Sequence, residues 1–321
     1  MVKKKSLSRT VGFYSLVIAL IVGVTYPFFW MALISFRYDT DALAPGLIHP
    51  VTFNQYAELL GFRQSIRQQL SGEQKALLGL IQTLPKDQQK AILKKIKKEQ
   101  RESFPFLTYF KNSLILAGLA SLISVIISVF GAYSFSRIKY PGRGTIQRGV
   151  LVVYLFGGTI LMVPLYQIFA KIGMLSNPTS AMLSLLVIYM VQTLPVSLYM
   201  LGNYFRTIPY SIEEAAIIDG CTRTQAILKI VVPLSLPAII TVYIYAFMIA
   251  WNEYLFASIF IRPFPSDYTL PVGLYELFNS YHAIWAKMMA ASVITAVPVV
   301  VLFMTMEKYL TSGFTVGAVK E

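Results

Sequence analysis

Cysteine is all but missing from this 321-residue chain. Cys221 stands alone, which excludes an internal disulfide framework and any multi-cysteine metal site. Histidine is nearly as scarce: His49 and His282 lie far apart, and neither has a metal-ligating neighbour at helical spacing. Both fit a loop or an interface better than a metal site, and no metal ligand set is expected. No Gly-x-x-x-x-Gly-Lys run occurs, so the chain has no phosphate-binding loop of that kind. Charge is thin as well. Only 13% of residues are charged and 56% are hydrophobic, against ~25% charged in a soluble domain. Acids are outnumbered by bases, 15 to 28, for a net charge of +13. In a soluble protein that excess would suggest nucleic acid. In a membrane protein Lys and Arg hold loops on the cytoplasmic side, and no nucleic-acid partner is expected.

What is present is long apolar runs. Crossing an apolar core ~30 Å thick takes ~20 helical residues. Six runs qualify, at 11–36, 108–135, 149–172, 180–204, 235–261 and 287–311. Lys3, Lys4, Lys5 and Arg9 precede the first. Its length exceeds that of a signal-peptide core, so an uncleaved anchor helix with a cytoplasmic N-terminus (1–10) is expected. Arg137, Lys139, Arg143 and Arg148 gather between spans two and three without an acid, and Gly173 to Thr179, after span three, holds no charge. The segment 205–234 between spans four and five therefore falls inside the cell, and six spans return the tail, 312–321, to the cytoplasm.

The first external loop, 37–107, carries an insertion at 61–103. Ile66, Leu70, Leu77 and Ile81 fall roughly on one helical face, and Pro85-Lys86-Asp87 reads as a break before a second amphipathic stretch. A small helical hairpin is expected there, with a disordered segment as the alternative. The insertion holds ten Lys or Arg and four acids, a net +6 outside the cell. Such a surface suits docking of an acidic partner face or attraction of an anionic oligosaccharide, or it is a solvated spacer.

The polar segment between spans four and five is the most informative. Ile208-Pro209 turns the chain. Ser211 suits an N-cap, with Glu213 and Glu214 in the first turn, where carboxylates complement the helix dipole. Ala215 and Ala216 let a partner surface approach, and after Asp219 the chain bends at Gly220, where a side chain would clash. A second helix is expected from Thr222 to Val232, stopped by Pro233. Together these make a helix-turn-helix knob across the membrane face.

Glu214-Ala215-Ala216, then Gly220, Ile230 and Pro233, resembles in spacing the coupling loop of ATP-binding-cassette importer permeases. Val232 replaces the family's usual Leu, a conservative change. The likeness extends through Val163-Pro164-Leu165-Tyr166, Leu194-Pro195-Val196-Ser197, Trp251-Asn252-Glu253-Tyr254 and the tail from Tyr309 to Lys320. Nearly the whole chain outside 61–103 is similar to the smaller permease subunit of maltose-type carbohydrate importers. The resemblance implies an all-α membrane protein of the type I importer permease fold. It implies ATPase coupling through Glu213, Glu214, Ala215, Ala216, Asp219 and Gly220. It also implies a second, different permease subunit, two ATPase subunits that bind ATP and magnesium, and an extracytoplasmic solute-binding protein. No cofactor is expected in this chain, and the setting implied is a bacterial inner membrane.

Polar residues inside spans usually face the bundle interior or a water-filled path. Tyr245, Ile249 and Asn252 share a face of span five, flanked by Trp251 and Glu253. Tyr154, Tyr189 and Gln192 are candidates to complete the lining. Packing between helices competes with a pathway role: the two weigh equally for Asn252, and packing is favoured for each tyrosine singly. Gly157-Gly158 and Pro164 interrupt span three, as a gate or for close helix packing.

Import of an oligosaccharide is the leading reading, with a polyol or phosphodiester as the alternative solute. A membrane-embedded enzyme is a remote rival. It needs paired catalytic groups, yet neither His-x-x-x-His nor Gly-x-Ser-x-Gly occurs, and Glu253 is the only carboxylate well away from the ends of a span.

Overall fold

Apolar runs without internal breakers become long helices because only a helix satisfies every backbone polar group inside lipid. The structure, a computed structural model, describes residues 7–38, 42, 44, 46, 49–62, 104–155, 158–278 and 284–315. All regular elements among the described residues are helical. In chain order they are α1 (Leu7–Ser35), α2 (Asn54–Leu59), α3 (Phe106–Arg137), α4 (Arg143–Leu155), α5 (Gly158–Lys171), α6 (Pro178–Phe205), α7 (Tyr210–Ile218), α8 (Arg223–Ala226), α9 (Val232–Leu234), α10 (Leu236–Trp251), α11 (Leu255–Phe260), α12 (Leu270–Phe278) and α13 (Trp285–Thr315). A π turn, Ile227–Val231, joins α8 to α9. The expected insertion hairpin, the basic start, Gly157, His282 and the last tail residues lie outside the described residues.

Among the described residues, five stretches are long and apolar enough to cross a membrane: Gly12–Ser35, Phe106–Arg137, Pro178–Phe205, Leu236–Phe260 and Trp285–Glu307. The remaining expected span, 149–172, is covered by α4 up to Leu155 and by α5 from Gly158, with residues 156–157 outside those described. Pro164 stays within α5.

The chain divides into two compact units. One comprises Met1–Leu107 with Leu274–Ala296. Its α1 exposes apolar side chains from Phe13 to Phe29, as a lipid-facing helix does. Only the end of α1 is packed: Ile34 joins Ala42 and Ala286, with Trp30, Trp285 and Met289 around them. Buried Arg37 donates to the carbonyl oxygens of Ala44 and Gly46, and Lys287 pairs with Glu58 at 3.1 Å.

The other unit, Thr108–Gly273 with Val297–Glu321, holds α3 to α11. Small residues let α3 approach its neighbours closely, as membrane helices require. Ala117, Ala120, Ser121, Ser124, Ser128 and Ala132 are buried along it. At Gly131 a Cβ would lie 2.5 Å from Leu198 Cδ2 of α6. One apolar cluster joins Val125, Val129 and Tyr133 of α3, Leu201 and Phe205 of α6, Ile227 and Val231 of the π turn, and Val242 of α10. The segment between α6 and α10 is thereby packed into the helical core.

Candidate functional site

The knob begins where Pro209 ends α6's connection and α7 starts at Tyr210. Ser211 is not the N-cap. Pro209 occupies that position and no side chain caps the helix. Glu213 and Ala216, three residues apart, face inward, while Ile212, Glu214, Ala215, Ile217 and Ile218 are exposed. Ile218 is 84% exposed, high for a large apolar side chain.

The inward carboxylate of Glu213 meets Arg137, the last residue of α3. Arg137 Nε stands 2.7 Å from Glu213 Oε1, with both side chains at least 95% buried. The N–H points off the line between them, so the contact is an ion pair and not a hydrogen bond. Further contacts neutralise the cost of burying the charges. Tyr133 donates its hydroxyl to Glu213 Oε2 at 3.2 Å, and Arg137 Nη2 donates to the Ile208 carbonyl at 2.7 Å. The Arg137 guanidinium also lies over the Tyr210 ring, 4.7 Å from its centre. Sequence reading missed this cluster. Arg137 appeared only as one of four loop cations, and nothing local links it to Glu213.

α7 ends in a Schellman turn. The N–H of Cys221 donates to the Ala216 carbonyl and that of Gly220 to the Ile217 carbonyl, both at 3.0 Å. Gly220 adopts φ +89°, and no atom lies within 4 Å of where its Cβ would be. The expected clash is therefore absent; glycine is required by its own left-handed backbone. Asp219 is the exposed C-cap residue. Thr222 then starts α8 with a capping box: Thr222 accepts from the Gln225 N–H, and Gln225 accepts from the Thr222 N–H. The second helix does not stop at Pro233. It widens into the π turn and continues to Leu234, where the Ser235 N–H bonds the Val231 and Val232 carbonyls. A wider turn absorbs the missing proline N–H without ending the helix.

The second region lies where span five breaks. Span five is not one helix: α10 ends at Trp251, and α11 starts at Leu255. Glu253 makes the break. Its Oε1 accepts from the Phe256 N–H at 2.8 Å and its Oε2 from the Ala257 N–H at 3.1 Å. A carboxylate so placed satisfies donors that a helix start leaves orphaned. Glu253 is 9% exposed, which makes it a cap, not a lining residue. Gly158, at the start of α5, meets this break. A Cβ on Gly158 would lie 3.0 Å from Phe256 and 3.5 Å from Gln192. Phe260 then stacks edge-on with Tyr166 and Phe169 of α5.

The sequence-derived lining residues divide by burial. Tyr154 and Tyr245 are each 43% exposed, and their hydroxyls interact. Gln192 is half-buried and Asn252 is exposed. Ile249 is half-buried beside them. Tyr189 is only 1% exposed, so it supports this wall from behind. Its hydroxyl faces Glu253 without reaching hydrogen-bond geometry. Asn252 has left the helix, and its side-chain amide donates to the Met248 carbonyl at 2.9 Å. Phe256 was not anticipated, because a lone Phe in an apolar run carries no signal. Among the described residues no group of three metal-ligating side chains comes together.

Comparison with known proteins gives these features a setting. The family model described as binding-protein-dependent transport system inner membrane component matches residues 6–316. The chain is 37% identical to the inner membrane ABC transporter permease protein YcjP of Escherichia coli (strain K12), over 99% of this chain and 98% of that protein. It is 31% identical to the trehalose/maltose transport system permease protein MalG of Thermococcus litoralis, over 92% and 91%. The sulfoquinovosyl glycerol transport system permease protein SmoH of Agrobacterium fabrum is 36% identical over 67% and 74%. Among solved structures, a bacterial ABC transporter involved in import of the acidic polysaccharide alginate superposes with a TM-score of 0.70. That match covers 95% of this chain and 99% of the other at 20% identity, a likeness of fold alone.

Proposed function

We infer what the chain does from what it is: it belongs to the family of binding-protein-dependent transport system inner membrane components. It is a multi-pass inner-membrane permease and not an enzyme; ATP hydrolysis, which drives transport, belongs to separate ATPase subunits. Its cargo is a carbohydrate, in keeping with the sugars named for its relatives.

The finer reading is an oligosaccharide importer in which this chain lines half of the path. A second, different permease subunit supplies the other half. Two ATPase subunits bind ATP and magnesium below, and an extracytoplasmic solute-binding protein delivers the sugar. Both termini are cytoplasmic. The observation that carries this reading is the knob. A short helix exposes Ile212, Ala215, Ile217 and Ile218 outward while its inward face is fixed by the buried Arg137–Glu213 pair. A surface apolar on one side and anchored on the other suits a cleft in a moving partner. Tyr154, Tyr245, Gln192 and Asn252 supply aromatic faces and hydrogen-bonding groups of the kind sugars use.

The test is ATP-driven uptake. The chain is co-expressed with its native partners, purified through a tag on the ATPase and reconstituted in vesicles. Labelled di- to pentasaccharides, neutral and uronic, are offered beside a polyol and a glycerol phosphodiester. Uptake of a saccharide that needs both ATP and the binding protein supports the reading. Uptake of the polyol or phosphodiester alone replaces the substrate. Uptake indifferent to ATP rejects the mechanism.

A further inference from the structure

Span five is broken at Asn252–Tyr254, whereas α3 is not broken anywhere. α3 runs 32 residues without a proline, and both of its ends are tied to segments outside the span. At its C-terminal end Arg137 and Tyr133 grip Glu213 and the Ile208 carbonyl, as described. Tyr210 adds a reverse tie, donating its hydroxyl to the Arg137 carbonyl at 2.7 Å.

Its N-terminal end is tied to the segment that follows α11. Tyr109 donates to the Pro265 carbonyl at 2.8 Å, and Asn112 donates to the Tyr268 carbonyl at 3.2 Å. The Leu270 N–H donates to Ser113 Oγ at 2.7 Å. Tyr109 also fills the space in front of Gly273, where an added Cβ would collide with its ring. Three residues of one helix face thus hold this loop.

These two grips are separated by the rise from Tyr109 to Arg137, about 42 Å at 1.5 Å per residue. That exceeds the ~30 Å apolar core of a bilayer. The knob and the segment 265–273 therefore lie on opposite faces of the membrane, joined by one continuous helix. The break at Asn252–Tyr254 leaves span five without such continuity.

We propose that α3 is the strut through which the outer segment 265–273 and the cytoplasmic knob move as one body, so that docking of the binding protein outside is felt at the ATPase inside. The proposal rests on the permease function above. Arg137, Tyr133, Tyr109, Asn112 and Ser113 are positioning residues in it, and none needs to touch the sugar. Motion that opens the path is left to the other spans. A helix carries displacement along its axis because its hydrogen bonds are all internal, whereas a break dissipates it.

The experiment uses the reconstituted complex in a Cys221→Ser background. Spin labels are placed at Lys229→Cys on the knob side and Ser266→Cys outside, both exposed positions. A second pair joins Lys229→Cys to Ile168→Cys, exposed on α5. Distances are measured by double electron-electron resonance in the resting and ATP-trapped states. The strut predicts an unchanged Lys229–Ser266 distance and a changed Lys229–Ile168 distance. A Lys229–Ser266 change as large as the other overturns it. In parallel, Tyr109→Phe with Ser113→Ala removes two outer ties while keeping the ring that packs on Gly273. Binding-protein stimulation of ATP hydrolysis should fall about fivefold or more, the low end of ordinary allosteric coupling, with basal hydrolysis and assembly intact. Full stimulation in that variant also overturns the proposal. If the unaltered complex shows no stimulation by its binding protein, it is the permease reading that fails.

Discussion

Arg137 and Tyr210 hold each other twice. The guanidinium lies over the ring at 4.7 Å, and the ring's hydroxyl donates to the Arg137 carbonyl at 2.7 Å. This reciprocal contact fixes the first residue of the knob helix on the last residue of the second span. It also shapes the pocket in which the Arg137–Glu213 pair is buried.

Removing one member of that pair leaves an uncompensated buried charge, which costs ~3–5 kcal/mol. Arg137→Met alone should therefore lower the melting temperature of the purified complex markedly. Arg137→Met with Glu213→Leu should recover most of the loss, because an apolar pair needs no desolvation. Equal damage from the single and double variants would show that the charges do more than neutralise each other.

Gly220 should tolerate nothing that resists a left-handed backbone. Gly220→Ala strains the turn by ~1–2 kcal/mol. Gly220→Pro cannot reach φ +89° and removes the N–H that bonds Ile217. The proline variant should insert in the membrane normally yet lose substrate-stimulated ATP hydrolysis. Normal transport by it would remove the knob from the coupling mechanism.

Two other glycines differ in what surrounds them. At Gly131 an added Cβ meets the far end of Leu198, a side chain that can swing. At Gly273 it meets the Tyr109 ring, whose hydroxyl is already committed to Pro265. Gly273→Ala should destabilise by ~1–3 kcal/mol, the usual range for overpacking. Gly131→Ala should cost clearly less. Matched thermal melts of the two variants decide the order.

Cysteines at Tyr245 and Asn252 should react with a small water-soluble thiol reagent in a Cys221→Ser complex, with rates that differ between resting and ATP-trapped states. A cysteine at Tyr189 should stay protected, since that position is 1% exposed. Protection of all three in both states would reduce this face to helix packing.

What the sequence disclosed follows the range of the interactions. The knob was legible because its signals are local. Pro209, the Glu-Ala-Ala run, Gly220 and Thr222 each act within a few residues, and the structure places α7, its Schellman turn and α8 accordingly. The interruption expected of span three at Gly157-Gly158 falls on residues outside those described; α4 is helical to Leu155 and α5 from Gly158. Span five concealed its break inside a continuous apolar run. The only local hint was Asn252-Glu253, and a carboxylate there reads as readily as a pathway group as it does a helix cap. The Arg137–Glu213 pair joins positions remote in sequence, and no periodicity reports such a contact.

The apolar tip of α7 bears on the life of the chain before assembly. Ile218 is 84% exposed, and Ile217 and Ile212 of the same short helix are exposed as well. Contiguous apolar surface in water invites chaperones, proteases and self-association. On the proposed docking of the ATPase at the knob, a copy made in excess of its partners carries its own mark of being unassembled, and assembly erases the mark. The same few side chains would then make subunit stoichiometry self-policing.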